Sequence, residues 1–481
     1  MMRSFFIFLI NLFLLAPSAY AQTKTWGLQE CIDYALQNNL QLKQSALAVR
    51  RDEVALKQSR MAKLPNLNGS ASHSYNFGRS IDPFTNQFTT DVIRSNNFGL
   101  SSGVTVFNGF QLSNTVKQNE INIQASQQDV KQAENDLKLN IAGAYLNILL
   151  NRELVENAEL QLQNTQAQID RTQKLIDAGV LPEANIYDLL SQRATNEQQI
   201  VSAKNTLMLA ELNLKQLLQL PASEALEIVE PELPEISENV LVPQPGAVYE
   251  TAEGNQPNVK SAELTIQSAE LGVEIARGSR YPSVSINGSA FTGYSSAQDQ
   301  FFQGDGTFNN VIVPIGFLAS DPNELVLAEQ EVPNGEIVDF DFTRQLQESF
   351  RQNIGVSVQI PIFNRYQVEA AIQNAEINLD QSRLNADIVR NQLRQTIEQA
   401  YTDVLAAQAT FRSSAERVKA LRQTLEVTEK QFRAGAANAV DFNLAQNQLN
   451  AARTDLLRAK YDFIFRQKIL DFYQGKEITL D

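Results

Sequence analysis

The chain has 481 residues, 43% of them hydrophobic and 20% charged, with 55 acids against 40 bases and a net charge of −15. At ~150 residues per domain this length allows about three domains or one elongated unit, and the acidic balance argues against nucleic acid, whose phosphates need a basic stripe. One Cys and one His exclude an intramolecular disulfide and a zinc cage, and any Ser-His-Asp triad is confined to His73.

Residues 1–21 read as a secretory signal peptide. Arg3 supplies the charge, Phe5 to Ala16 the apolar run, and Ala19-Tyr20-Ala21 the small-residue cleavage site before Gln22. The apolar run is too short to span ~30 Å of hydrocarbon as a helix. Leu28-Gln29-Glu30 lacks the small residues of a lipoprotein site, so Cys31 is predicted as a small apolar position on the first helix. No later stretch reaches 18 apolar residues. The chain is predicted to be exported, without a transmembrane helix.

Two halves repeat. At an offset of 256, Gly99 matches Gly355, Phe107-Asn108 matches Phe363-Asn364, Ala144-Tyr145 matches Ala400-Tyr401, and Ala178-Gly179 matches Ala434-Gly435. At an offset of 217, Ala35 matches Ala252, Asn38 matches Asn255 and Pro65 matches Pro282; the difference of 39 is an insertion in the second half. The predicted organisation is a first repeat over 22–220, an acidic Pro-rich connector over 221–246, a second repeat over 247–475 and a tail over 476–481. Each repeat reads as helix, strand, loop, strand, long helix, sharp turn and return helix.

The strands come first. Asn66 to Phe77, Asn97 to Val106, Ser283 to Ala290 and Asn353 to Ile362 each alternate an apolar face with one of Asn, Ser and Gly. Such alternation fits a membrane β-strand with lipid outside and water inside, and it also fits a half-buried soluble sheet. In the membrane case four strands cannot close a barrel, so two, three or four copies would supply 8, 12 or 16. His73, on an apolar face, reads as a membrane-interface residue.

The long helices carry seven-residue spacing: Ile141, Ile148, Val155, Leu162, Ile169 and Ile176, then Ile397, Val404, Phe411, Val418, Leu425 and Phe432. Phe442, Leu449, Leu456, Phe463 and Leu470 continue it in the second return helix. A sustained heptad keeps one seam on a partner helix, as in coiled coils. A helix from about Gly109 to Asp177 would be ~100 Å long at 1.5 Å per residue. Between the third and fourth strands, 295–349 holds ten acids and one base, Arg344; it is predicted as a surface loop, with Phe301, Phe302, Phe308 and Phe317 packing as a cap.

Gly179 and Gly435 each end a heptad-bearing helix, where the left-handed region is cheap only for glycine. Six residues on stand Asn185 and Asp441, and nine on stand Asp188 and Leu444. The aspartates suit the positive end of a return helix.

The duplicated strand pair with its helical hairpin, the Ala-Gly tips and the opening Trp26-Gly27-Leu28-Gln29-Glu30-Cys31-Ile32-Asp33-Tyr34-Ala35-Leu36 together resemble the TolC family of outer-membrane efflux proteins. Pro65 and Pro282, entering the first and third strands, are similar too. The resemblance implies a mixed α and β membrane fold: a homotrimer with an outer-membrane β-barrel, four strands per chain, on a periplasmic α-helical barrel. It implies no enzymatic activity and no cofactor. The implied role is a passive exit duct for tripartite efflux or type I secretion. The implied partners are outer-membrane lipid, a periplasmic adaptor (membrane-fusion) protein, and an inner-membrane transporter of resistance-nodulation-division or ABC type.

By the same resemblance the tips, near 178–188 and 434–444, hold the gate and the adaptor contact. Adaptor docking falls on Ala178, Gly179, Val180 and Leu181, and on Ala434, Gly435, Ala436 and Ala437. The gate falls on Asp441, Asp188, Asn185 and Phe432. Leu444 and Ala437 depart from the family pattern of a second aspartate and a gating arginine. The competing reading is an exported coiled-coil scaffold or adaptor without a pore, which explains the heptads and leaves the duplicated strands unexplained. A hydrolase is disfavoured because no acid–base pair sits in a motif that brings it together.

Overall fold

A computed structural model describes residues 25–81, 88–90, 92–231, 242–298 and 300–480; the expected signal peptide and part of the expected connector lie outside them. Two compact units emerge, one of helices (up to residue 54, with 120–269 and from 378 on) and one built on a sheet (55–119 with 270–377).

In the helical unit, β1 (Thr25–Trp26) pairs in parallel with β6 (Glu227–Ile228), inside the stretch expected to be irregular. The helix expected to open each half is two helices. The first pair is α1 (Leu28–Asn38) and α2 (Leu40–Met61), the second α5 (Pro245–Asn255) and α6 (Pro257–Gly278). The breaks fall at repeat mates, by different chemistry. Asn39 turns extended and its Oδ1 accepts from the Gln41 and Leu42 N–H groups at 2.9 and 3.2 Å. Gln256 is held extended ahead of Pro257, which starts α6 without needing an N–H.

The long helices are α3 (Gln111–Asp177) and α8 (Gln367–Arg433), 67 residues each, and the return helices are α4 (Asn185–Leu218) and α9 (Ala439–Tyr473). Their heptad positions are all buried or half-buried. Ile141, Ile148, Ile397 and Phe463 are fully enclosed, so the seven-residue period does mark the packing seam. Cys31 is fully buried on α1, beside Tyr145 and Leu214 in the main core. The Tyr145 hydroxyl donates to the carbonyls of Trp26 and Val229, and Arg152 donates to the Ile228 carbonyl at 3.0 Å. Burial, reinforced by neighbouring Cys31, pushes the Tyr145 phenol well above its ordinary value.

In the other unit, β2 (Asn68–Asn76), β5 (Ile93–Asn108), β7 (Ser283–Ser295) and β10 (Arg351–Gln359) make one antiparallel sheet in the order β10-β7-β5-β2. Short β3 (Ser80–Ile81) and β4 (Phe88–Thr89) pair separately. The fourth strand stops three residues before its expected end, since Pro361 has no N–H to continue the ladder. Each strand-to-helix corner takes two successive left-handed residues, Gly109-Phe110 and their repeat mates Arg365-Tyr366. A Cβ at Gly109 would lie 2.1 Å from the Gly278 carbonyl oxygen, so that position admits only glycine.

The expected surface loop is largely a hairpin of β8 (Gln300–Leu318) and β9 (Asp321–Asp339), 19 residues each, followed by α7 (Phe342–Glu348). The phenylalanine cap does not form: Phe302, Phe308 and Phe317 are exposed. Phe301 alone packs, with its ring centroid 5.0 Å from that of Phe340 and the Arg344 guanidinium over it. No described helix is long and apolar enough to cross a membrane.

Candidate functional site

The two hairpin tips are built alike at the turn. At the first, Gly179 has φ +72°, its N–H donates to the Ile176 carbonyl at 2.8 Å, and the Val180 N–H reaches the Leu175 carbonyl at 2.8 Å. At the second, Gly435 has φ +73°, its N–H donates to the Phe432 carbonyl at 3.1 Å, and the Ala436 N–H reaches the Gln431 carbonyl at 2.8 Å. Both satisfy the last carbonyls of a long helix as a left-handed C-cap does. Ala178, Gly179 and Val180, like Ala434, Gly435 and Ala436, are exposed, while Leu181 and Ala437 are half-buried.

The return helices start differently. Asn185 is the first residue of α4, with Asp188 exposed in its first turn; Ala184 before it makes no side-chain cap. Ile186 and Leu189 instead bury themselves with Ile169, backed by Ile176 and Leu190. On α9 the side chain of Asn438 accepts from the Asp441 N–H at 2.8 Å, a standard N-cap bond, and Asp441 is exposed in the first turn. Phe432 stacks on Phe442 across the turn, centroids 5.4 Å apart. Both aspartates therefore sit where a helix N-terminus favours negative charge. Phe442, read from sequence as a heptad position, is also the partner of Phe432, a contact that spacing within one helix does not reveal.

Above the tips runs a polar seam that sequence reasoning did not pick out. Asn196, fully buried, donates to Thr165 Oγ1 at 2.8 Å and accepts from Gln192 at 2.9 Å and Gln161 at 3.3 Å. Between the halves, Gln168 meets Gln446, Asn447 donates to Gln192 at 3.3 Å and Asn157 donates to Thr454 at 3.1 Å. The available signal was Asn196 seven residues after the buried Leu189, a polar residue on the helix side that Leu189 buries.

On the sheet, the registers put Asn68, Ser70, Ser72 and Ser74 on one face with Asn97, Gly99, Ser101, Gly103, Ser285, Asn287, Ser289, Asn353, Gly355, Ser357 and Gln359. The opposite face carries Leu100, Val104, Ile286, Ile354, Val356 and Val358, and Ile354 and Val356 are 84% and 67% exposed. Toward the end where β7 leads into the β8–β9 hairpin, that apolar face ends in His73, Tyr75, Arg94 and Tyr294; Tyr75 pairs with Arg94, and His73 is hydrogen-bonded to Asn96. An exposed apolar band bordered by aromatic and polar residues is what a lipid-facing barrel wall presents. Among the described residues, the edge strands β2 and β10 have no partner on their outer sides.

Residues 31–219 and 328–475 match the model of a family described as outer membrane efflux protein. The outer membrane efflux protein BepC of Brucella suis is 22% identical over 451 residues, covering 94% of this chain and 85% of the relative. The outer membrane protein TolC of Vibrio cholerae is 21% identical over 468 residues, 95% and 92% of the two. In solved structures, the outer membrane protein VceC of Vibrio cholerae matches with a TM-score of 0.71 at 16% identity, covering 94% and 97%. CusC matches at 0.69 and 19%, covering 95% and 96%.

Proposed function

The chain belongs to the outer membrane efflux protein family, and on that premise we propose that three copies form a passive exit duct of a tripartite efflux or type I secretion system. The observation that carries this reading is the four-stranded sheet with an apolar exposed face and two open edges. Open edges are not tolerated in hydrocarbon, so β2 of one copy pairs with β10 of the next, and three copies close twelve strands with the Asn/Ser face toward water.

The hairpin tips lie at the periplasmic end in this reading. Three copies of Asp441 face a common axis and concentrate negative charge, with Asp188 and Asn185 beside them and Phe432 on Phe442 bracing the turn. The exposed backbone of 178–181 and 434–437 receives a periplasmic adaptor, and the inner-membrane transporter supplies the energy. Ala437 and Leu444 leave the gate without an arginine latch and a second acidic ring in this half. The aromatic stack and the Asn438 cap take up the latching.

Conductance of detergent-purified protein in a planar bilayer tests the reading, with Asp441→Ala alongside. Discrete cation-favouring openings that lose their preference in the variant support both duct and ring. Unchanged openings return Asp441 to a helix-end role. Protein that stays in solution without detergent and never conducts overturns the duct and leaves an exported scaffold.

A further inference from the structure

The polar face of the sheet is almost entirely Ser, Asn, Gly, Thr and Gln, and its exceptions among the described strand residues are few. Ile93 is buried at the start of β5. The other two are Phe291 and Arg351, and they share one rung: Ser70 pairs with Gly99, Gly99 with Phe291, and Phe291 with Arg351. It is the last rung at which all four strands are present, because β10 begins at Arg351. It lies at the end where β7 runs out toward the β8–β9 hairpin, next to α7, whose Leu346 carbonyl accepts from the Thr292 hydroxyl at 2.5 Å.

The rung is arranged for contact with something in the lumen. Phe291 is 39% exposed, and its ring leans over Gly99, where a Cβ would come within 4.0 Å of Cδ2. Arg351 is exposed and makes no ion pair with any described residue. Arg94, the other arginine at this end of the sheet, pairs with Tyr75 on the opposite face. Directly opposed residues of an antiparallel pair hold their Cβ atoms ~5 Å apart, so the two side chains leave the sheet from neighbouring positions on one face.

We propose that Phe291 and Arg351 form a filter at the outer mouth that favours anions with an apolar body. Arg351 takes the charge and Phe291 the apolar surface. The inference rests on the trimeric duct proposed above, which repeats the rung three times around the barrel. Twelve strands ~4.8 Å apart at ~40° tilt give a backbone radius of about 12 Å. With three arginines reaching inward, the axis at this rung lies within the ~8 Å Debye length of physiological salt, so a passing ion feels all three charges. Among the described strand residues the rest of that face is uncharged, and the acids of the hairpin and α7, Glu348 the nearest in sequence, lie beyond the rung rather than on it.

The test is reversal potential across a KCl gradient, plus block by naphthalene-1-sulfonate added on the barrel side, for purified wild type, Arg351→Gln and Phe291→Ala. Arg351→Gln is expected to lower the chloride-to-potassium permeability ratio by roughly fivefold. Phe291→Ala is expected to leave that ratio in place and weaken sulfonate block by roughly fivefold, the loss of one aromatic contact. Openings whose selectivity and block are the same in all three proteins overturn the filter while keeping the duct. No openings from any of them overturn the duct and the filter together.

Discussion

The two hairpin tips share a turn and differ in what holds the strand of helix that follows it. Glycines of nearly equal φ close both turns with equivalent backbone bonds. Beyond that point the first tip is secured by burial, Ile186 and Leu189 against Ile169. The second is secured by one capping bond, from Asn438, and one half-exposed stack, Phe432 on Phe442; its first deeply buried side chains come at Ala445 and Leu449. Burial of two large aliphatic side chains contributes several kcal/mol, a cap about 1 and an aromatic pair about 1. The two halves thus end in one tip held by burial and one held by a cap and a stack, and Asp441 stands on the second.

The largest expected effect breaks the firm tip. Leu189→Ala should cost about 2–4 kcal/mol, seen as faster hydrogen exchange over 183–192 with no change over 436–446. Gly179→Ala and Gly435→Ala should each cost about 1–2 kcal/mol by forcing a side chain into the left-handed region, and should cost the same, since the turns are alike. A clear inequality in thermal midpoints between the two would show that the turns themselves differ. Asn438→Ala should cost about 1 kcal/mol and speed proteolysis at the second tip only. The reciprocal Ala184→Asn should gain nothing, because Ala184 already has helical φ and ψ and cannot offer the extended geometry of a cap. Comparable to the lost cap is Phe442→Ala, about 0.5–1.5 kcal/mol, read as more frequent channel openings that Phe432→Ala does not increase further.

Much of this was legible from residues alone. The seven-residue period of Ile141 to Ile176, and its repeat from Ile397, fixes which side of a long helix is buried, because each position recurs on one seam. Alternation over Asn68 to Asn76 assigned faces correctly for the same reason. The β8–β9 hairpin escaped because it does not alternate: Val311, Ile312, Val313 and Ile315 run together, and Pro314, Pro322 and Pro333 read as breakers. In a two-stranded ribbon both strands are edges, so a proline can point its missing N–H outward. The break at Asn39 escaped because an Asn inside a helical pattern announces a cap only once the backbone bends. The Phe432–Phe442 stack joins two helices across a turn, and no period within either helix encodes it.

The wall of small hydroxyl and amide side chains between the two ends of the sheet has a kinetic consequence. Serine, asparagine and glycine hold water well and grip large molecules poorly, since they offer little apolar area and no charge. Conduction needs sites weak enough to leave, and a surface of this kind supplies none strong enough to trap. Cargo would then slide along a lubricated stretch with short dwell times, and throughput would be set by the barriers at the two ends.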